Sequence, residues 1–331
     1  MRIIIDTDPG IDDSVALALA VNSPELDIAA ITTTYGNTTV TRATRNAREV
    51  LARLGVGEKI PVYPGVDRPL LRPIEVAADT HGEFGLGYAT YAHEAEEEGT
   101  AVEAPGEILR LVAEANENIS IICLGPLTNL AVALALDRPL LQQHVDEIIL
   151  MGGEPNGNGN ITPVSEFNFW CDPEAARIVF QSGIPIRMVG LNVTRRMVLT
   201  RQAIELLGKE TDPALHWWSD MLRFYEEFHR EREGLEGCII NDPLTIALAV
   251  APEFGVAQPM YVEIALAEDL TRGQSICDRF GFLGEPPNAD VYTIAQWSDI
   301  LQFINGRVFG GVIPVQEISR GAALGAMMAG T

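Results

Sequence analysis

Four carboxylates crowd into eight residues near the start of the chain, in the run Asp6-Thr7-Asp8-Pro9-Gly10-Ile11-Asp12-Asp13. A short apolar stretch precedes them, and a helix-like stretch from 14 to 21 follows. Acids packed this closely repel one another, so their pKa values rise unless a cation or several donors neutralise them. Pro9 and Gly10 supply a turn that brings neighbouring side chains back to a common centre, and Asp12 or Asp13 can cap the helix. Capping needs fewer acids than four. The surplus is the pattern of a site for a hard cation with oxygen ligands.

The surrounding elements must hold that loop in place. Strand-like runs alternate with helix-like ones: 2–5 then 13–21, 28–33 then 41–54, 119–124 then 128–136, 147–151 then 172–181, 186–189 then 201–207. A βαβα order with nearly all-apolar strands predicts an α/β fold, a mostly parallel central sheet with helices on both faces. Ligands of such open sheets bind outside the carboxyl ends of the strands. The polar motifs fall there: 6–13 after the first strand, Tyr35-Gly36-Asn37 after the second, Gly125-Pro126-Leu127-Thr128-Asn129 and Gly152-Gly153-Glu154 after later ones. Residues 72–100 and 154–161 read as long loops. Residues 214–232 read as one long helix carrying Trp217, Trp218, Phe224, Tyr225 and Phe228.

With 331 residues, 47% of them hydrophobic, the chain can bury a large core, and 1–331 reads as a single domain. It carries 46 acidic against 23 basic residues, a net charge of −23. That balance opposes nucleic acid and anionic membrane and favours a neutral or cationic ligand. Cys123, Cys171, Cys238 and Cys277 are too far apart for a paired zinc spacing or a disulfide framework, which fits a reducing cytoplasm. The first apolar run is too short for a signal peptide, and no run approaches membrane-spanning length.

Asp6-x-Asp8 after an apolar strand also occurs in phosphatases of the haloacid dehalogenase type. Those need a later Gly-Asp pair of acids and a Lys, and no such Gly-Asp segment is present. An EF-hand fits worse, because Pro9 interrupts the loop and its twelfth position is Leu17 rather than a bidentate Glu. The stronger resemblance is to the inosine-uridine nucleoside hydrolase family, whose hallmark Asp-x-Asp-Pro-Gly-x-Asp-Asp stands here as Asp6 to Asp13. In order there follow Tyr35-Gly36-Asn37, Thr80-His81-Gly82, the 125–129 motif, Met151-Gly152-Gly153, Glu166-Phe167-Asn168, Asp172-Pro173-Glu174-Ala175-Ala176 and Asp242-Pro243. The match runs from 1 to about 303.

The resemblance implies one Ca2+ at the bottom of a pocket. Asp8, Asp13 and Asp242 match its carboxylate ligands, and the carbonyl of Leu124 matches a backbone ligand. Asp8 matches the base that takes a proton from water. Asp12, Asn168, Glu166 and Asn160 match groups that bind the ribose hydroxyls, and Asn37 matches a residue that orients the aspartates. The implied partner is a small-molecule nucleoside, and the implied assembly is a homodimer or homotetramer. Cleavage of an N-glycosidic bond passes through a ribosyl oxocarbenium ion, which carboxylates and oxygen dipoles stabilise.

One position departs from the pattern. Where the inosine-uridine type carries His before the last metal Asp, this chain has Asn241. Asn cannot act as a general acid, although its amide can hydrogen-bond a base edge. Candidates to replace the His are His81, in the matching His-Gly segment, and His229, four residues after Tyr225 and so on the same helix face. Tyr225 or Phe228 can close over the base and stack on it. The expectation is a calcium-dependent ribonucleoside hydrolase. The alternative is a weakly active or non-catalytic relative that binds calcium and ribosides.

Overall fold

The computed structural model describes residues 1–92 and 101–328, so the last part of the loop expected over 72–100, residues 93–100, lies outside the described residues. In chain order the strands are β1 (Arg2–Thr7), β2 (Asp27–Thr33), β3 (Val62–Pro64), β4 (Ile119–Cys123), β5 (Val145–Met151), β6 (Ile186–Val189), β7 (Val198–Thr200), β8 (Gly237–Ile239), β9 (Gly255–Ile264), β10 (Ser275–Asp278) and β11 (Ala289–Ala295). Nine of them form one sheet in the order β10-β9-β11-β6-β5-β4-β1-β2-β3. From β3 to β11 every pairing is parallel, and β9 and β10 close one edge antiparallel. β7 and β8 make a separate antiparallel ribbon.

β1 sits inside the sheet between β2 and β4, and its side chains alternate between two cores. Ile3 and Ile5 pack on the face covered by the helices Ile11–Val21, Val40–Arg53 and Asp242–Val250. Ile4 packs on the other, with Ile108 and Val112 of Ala104–Glu114 and Leu130 and Leu134 of Thr128–His144. All three isoleucines are fully buried, each contributing roughly 1.5–3 kcal/mol of hydrophobic stabilisation. Burial on both faces is why the strand reads as an unbroken apolar run rather than an alternating one. Among the described residues no helix is long and apolar enough to cross a membrane.

Most boundaries shift by a residue or two from the sequence reading, and two of them do so for evident local reasons. β1 runs on through Asp6 and Thr7, because Asp6 pairs with Thr32 of β2 and Cys123 of β4. The helix expected over 128–136 ends there as a regular coil, since Asp137 leaves helical geometry (φ −151°, ψ 77°) and its Oδ1 accepts the N–H of Leu140. A second stretch containing Pro139 then continues to His144. The long helix is Pro213–Glu233, capped by Asp212 at its start and by left-handed Gly234 at its end.

Candidate active site

The loop after β1 brings Asp8, and the first turn of the helix Ile11–Val21 brings Asp12 and Asp13, beneath a cleft at the carboxyl ends of the central strands, and the start of the helix Asp242–Val250 brings Asp242 to meet them. All four side chains are buried. Carboxylate oxygens of Asp12, Asp13 and Asp242 all lie within 4.8 Å of one another, a group that could hold a metal ion. Asp8 stands beside this trio. Its Oδ2 accepts the N–H of Asn37 at 2.7 Å, while its Oδ1 is buried with no hydrogen-bond partner. Asp13 is the best tethered of the four: Oδ1 accepts from Thr7 Oγ1 at 2.5 Å, and Oδ2 from Gly10 N at 3.0 Å and Asn37 Nδ2 at 2.7 Å.

Burial raises the pKa of Asp8 and Asp242 well above the ordinary carboxylate range, and the charges of their neighbours raise them further. Asp12 and Asp13 are also raised, chiefly by burial. Four buried acids with an orphaned oxygen among them are unfavourable by themselves, and an oxygen-seeking divalent cation is the group whose chemistry suits that donor set. Asp6 is not one of them. Its Oδ1 accepts from Thr32 Oγ1 at 2.6 Å and Asn129 Nδ2 at 2.8 Å, so it ties β1 to β2 and to the start of the helix Thr128–His144.

One wall of the cleft comes from the loop after β5 and the short helix Phe167–Cys171. Glu166 caps that helix, with Oε1 accepting from Asn168 N and Oε2 from Phe169 N and Gly153 N. Burial pushes its pKa up to about 7. Asn168 spends its Nδ2 on the carbonyls of Leu124, at 2.8 Å, and Met151, at 3.3 Å, which leaves Oδ1 as the free acceptor. The Leu124 carbonyl keeps its second lone pair. Asn160 also lines the cleft, its Oδ1 accepting from Phe167 N at 2.9 Å.

The opposite wall is aromatic and basic. Tyr225, Phe228 and His229 project from the long helix, and the buried His81 faces them, its ring 5.2 Å from that of Tyr225. Hydrogen bonds fix both imidazoles. Nδ1 of His81 accepts the N–H of Ile11 at 3.1 Å, so its Nε2 carries the proton. Nδ1 of His229 lies 2.8 Å from the carbonyl of Tyr225 and must donate, so its Nε2 is an acceptor. Burial pushes the His81 pKa down to about 4 and lowers that of His229 as well. At neutral pH the pair therefore offers one N–H and one lone pair rather than a charged acid.

Asn241 lines the same cleft and gives its donors to Asp12. Oδ2 of Asp12 accepts its N–H at 3.1 Å and its Nδ2 at 3.3 Å, together with the Tyr225 hydroxyl at 3.3 Å. The Asn241 donors are thus engaged by a carboxylate, and its Oδ1 is buried without a partner. Trp217 and Trp218, on the same long helix, belong to the core. The sequence reading did not name Arg195, Asp79, Trp170, Arg232 or Glu233, which also line the cleft. For Arg195 a signal existed, since it ends the short helix Leu191–Thr194 that follows the carboxyl end of β6, the side on which this class of sheet binds ligands.

Known proteins share both the sequence and this architecture. The pyrimidine-specific ribonucleoside hydrolase RihA of Photobacterium profundum is 42% identical over 292 residues, covering 87% of this chain and 92% of that one. The pyrimidine-specific ribonucleoside hydrolase RihB of Shigella sonnei is 35% identical over 290 residues, covering 88% and 91%. The solved structure of a purine-preferring ribonucleoside hydrolase from Gardnerella vaginalis superposes with a TM-score of 0.86 at 30% identity, covering 94% of this chain and 99% of that one. The family model described as inosine-uridine preferring nucleoside hydrolase matches residues 3–303. The chain therefore belongs to the inosine-uridine preferring nucleoside hydrolases, a family of N-glycosyl hydrolases.

Proposed function

We propose that this protein cleaves the N-glycosidic bond of ribonucleosides or closely related N-ribosides in a calcium-dependent reaction, releasing free base and ribose. The observation that carries the reading is the buried acidic floor, in which Asp8 Oδ1 has no partner while Asn37 holds the other oxygen. Asp8, Asp13, Asp242 and the Leu124 carbonyl would hold the ion, with Asp12 beside them. When bound, calcium would supply a positive charge that orients the ribose diol and makes water more acidic.

The chain's own groups account for the rest. Asp8 Oδ1 receives the proton of the attacking water, its lone pairs being unclaimed by any hydrogen-bond donor of the chain. Asn168 Oδ1, the Asn160 amide and Glu166 receive ribose hydroxyls, which spends binding on orientation and favours ribose over 2′-deoxyribose. The negative floor stabilises the positive charge that develops on the sugar. Tyr225 and Phe228 flank the base, with His81 Nε2–H and His229 Nε2 as its polar contacts. The names of the sequence relatives make a pyrimidine ribonucleoside the first substrate to assay. We read 1–331 as one domain acting in the cytoplasm as a homodimer or homotetramer.

The test is release of reducing sugar from a panel of ribonucleosides and 2′-deoxyribonucleosides, with and without a chelator. Chelator-sensitive cleavage of ribosides supports the reading. A protein that binds calcium and ribosides but releases no sugar would instead be the non-catalytic relative.

A further inference from the structure

Asp8 is held by packing as well as by hydrogen bonds. Gly36 lies against its Oδ2 and Gly125 against its Oδ1, so closely that a Cβ at either position would overlap the carboxylate. Gly36 also has φ +150°, where a side chain is strained. The two glycines form jaws around the group read above as the general base. One jaw belongs to the loop after β2, the other to the loop after β4.

A buried hydrogen-bond relay fastens the loop after β2 to the first residue of the helix Thr128–His144, which follows directly on the loop after β4. The Tyr35 hydroxyl is 2.9 Å from Thr128 Oγ1, and Thr128 Oγ1 is 2.8 Å from Asp172 Oδ2. Asp172 caps the helix Pro173–Phe180 through Ala175 N and accepts Leu70 N as well, so it takes a proton from Thr128 rather than giving one. A hydroxyl has one proton to donate. Thr128 gives its own to Asp172, so Tyr35 must give its own to Thr128. The relay runs one way and ends on a carboxylate anchored to two other segments. None of the three side chains lines the cleft.

We propose that Tyr35, Thr128 and Asp172 are positioning residues for the hydrolysis, because their relay sets the gap between the Gly36 and Gly125 jaws and thereby aims the Asp8 carboxylate. The inference rests on the reading of Asp8 as base and calcium ligand. Capping by Asp172 makes its loss a threat to folding, so the informative changes are Tyr35→Phe and Thr128→Val, with Thr128→Ser as the conservative partner.

Steady-state kinetics on a cleaved ribonucleoside should show kcat falling about tenfold to a hundredfold in Tyr35→Phe and Thr128→Val, the loss a misaimed group produces, with KM within about threefold. Thr128→Ser should return kcat to within about threefold of wild type. Calcium titrated without substrate should bind about threefold or more weaker to the two impaired variants, which is roughly 0.65 kcal/mol. Lowered melting temperatures with kcat, KM and calcium affinity all unchanged would overturn the proposal and leave the relay a purely structural feature. Asp8→Asn separates the two levels. If it is inactive while Tyr35→Phe and Thr128→Val are fully active, the positioning role alone fails; if Asp8→Asn keeps full turnover, the role of Asp8 and the inference fall together.

Discussion

Glu166→Gln in metal-free protein isolates the energetic consequence of one buried acid. The native carboxyl is 2% exposed, and burial holds its pKa at about 7 against an ordinary 4.5. At roughly 1.4 kcal/mol per pH unit, that gap amounts to about 3 kcal/mol. The folded state binds this proton more tightly than the unfolded chain does. Glu166 therefore contributes stability that is fully present below about pH 4.5 and is lost as pH rises to about 7. Glutamine carries no charge at any pH. The stability of the variant minus that of wild type should thus climb by about 3 kcal/mol between about pH 4 and pH 7.5, then level off. Any capping deficit of Gln shifts the curve by a constant and leaves its shape alone, because the three backbone N–H donors to Glu166 do not titrate. Urea unfolding followed by tryptophan fluorescence in chelator, extrapolated linearly at each pH, measures the difference. A difference that stays flat across that range within about 1 kcal/mol would refute the argument that desolvation governs this residue.

The remaining expectations concern turnover and metal. Asp8→Ala and Asp13→Ala should each abolish activity, and Asp8→Asn should keep part of the calcium affinity while losing rate; turnover of Asp8→Asn within about threefold of wild type would remove Asp8 as the base. Elemental analysis should find about one calcium per chain, following the all-oxygen donor set, and zinc in its place or full activity without metal would contradict the assignment. Asn241→His should raise inosine or uridine turnover while leaving p-nitrophenyl riboside nearly unchanged, with a positioned acid setting a ceiling of roughly 10²–10⁴-fold on the gap. If His81 already assists the leaving base, His81→Ala should depress nucleoside turnover and spare the nitrophenyl riboside. Equal loss on both substrates would assign His81 to the loop through Ile11 N instead.

The parallel half of the fold was legible because its strands are buried on both faces. Residues 2–5, 28–33 and 119–124 are apolar runs bounded by polar loops, and the loops are where the cleft lies. The antiparallel edge was not legible. β9 has partly or fully exposed residues through most of its first half and contains Pro259, which stands beyond the reach of β10, whose pairing spans Tyr261 to Ile264 only. That placement explains why proline is tolerated in a strand, and also why the segment gives no strand signal. In the site, the residue types were readable but their hydrogen-bond partners were not. Nothing in the sequence shows that Asn241 would turn its donors to Asp12, or that Asp6 would serve β2 and Asn129 rather than the acidic floor. Those choices depend on which side of a strand or loop a side chain leaves, and that is settled by tertiary packing.

Asp12 and Asn241 are 229 positions apart, yet their contact lies at the heart of the cleft. The helices that carry the two acid groups, Ile11–Val21 and Asp242–Val250, are apolar almost throughout and bury each other inside one core. The beginning of the polypeptide thus waits for nearly three-quarters of the chain to be made before its acids meet their counterpart. Contacts of such long sequence separation close slowly, because a large loop must be ordered before they give anything back. A nascent or truncated chain ending before Asn241 would retain the residues of β1 to β8 and their motifs but have no completed acidic floor. Any ion held on this floor would therefore be captured only after Asp242 has joined Asp12 and Asp13.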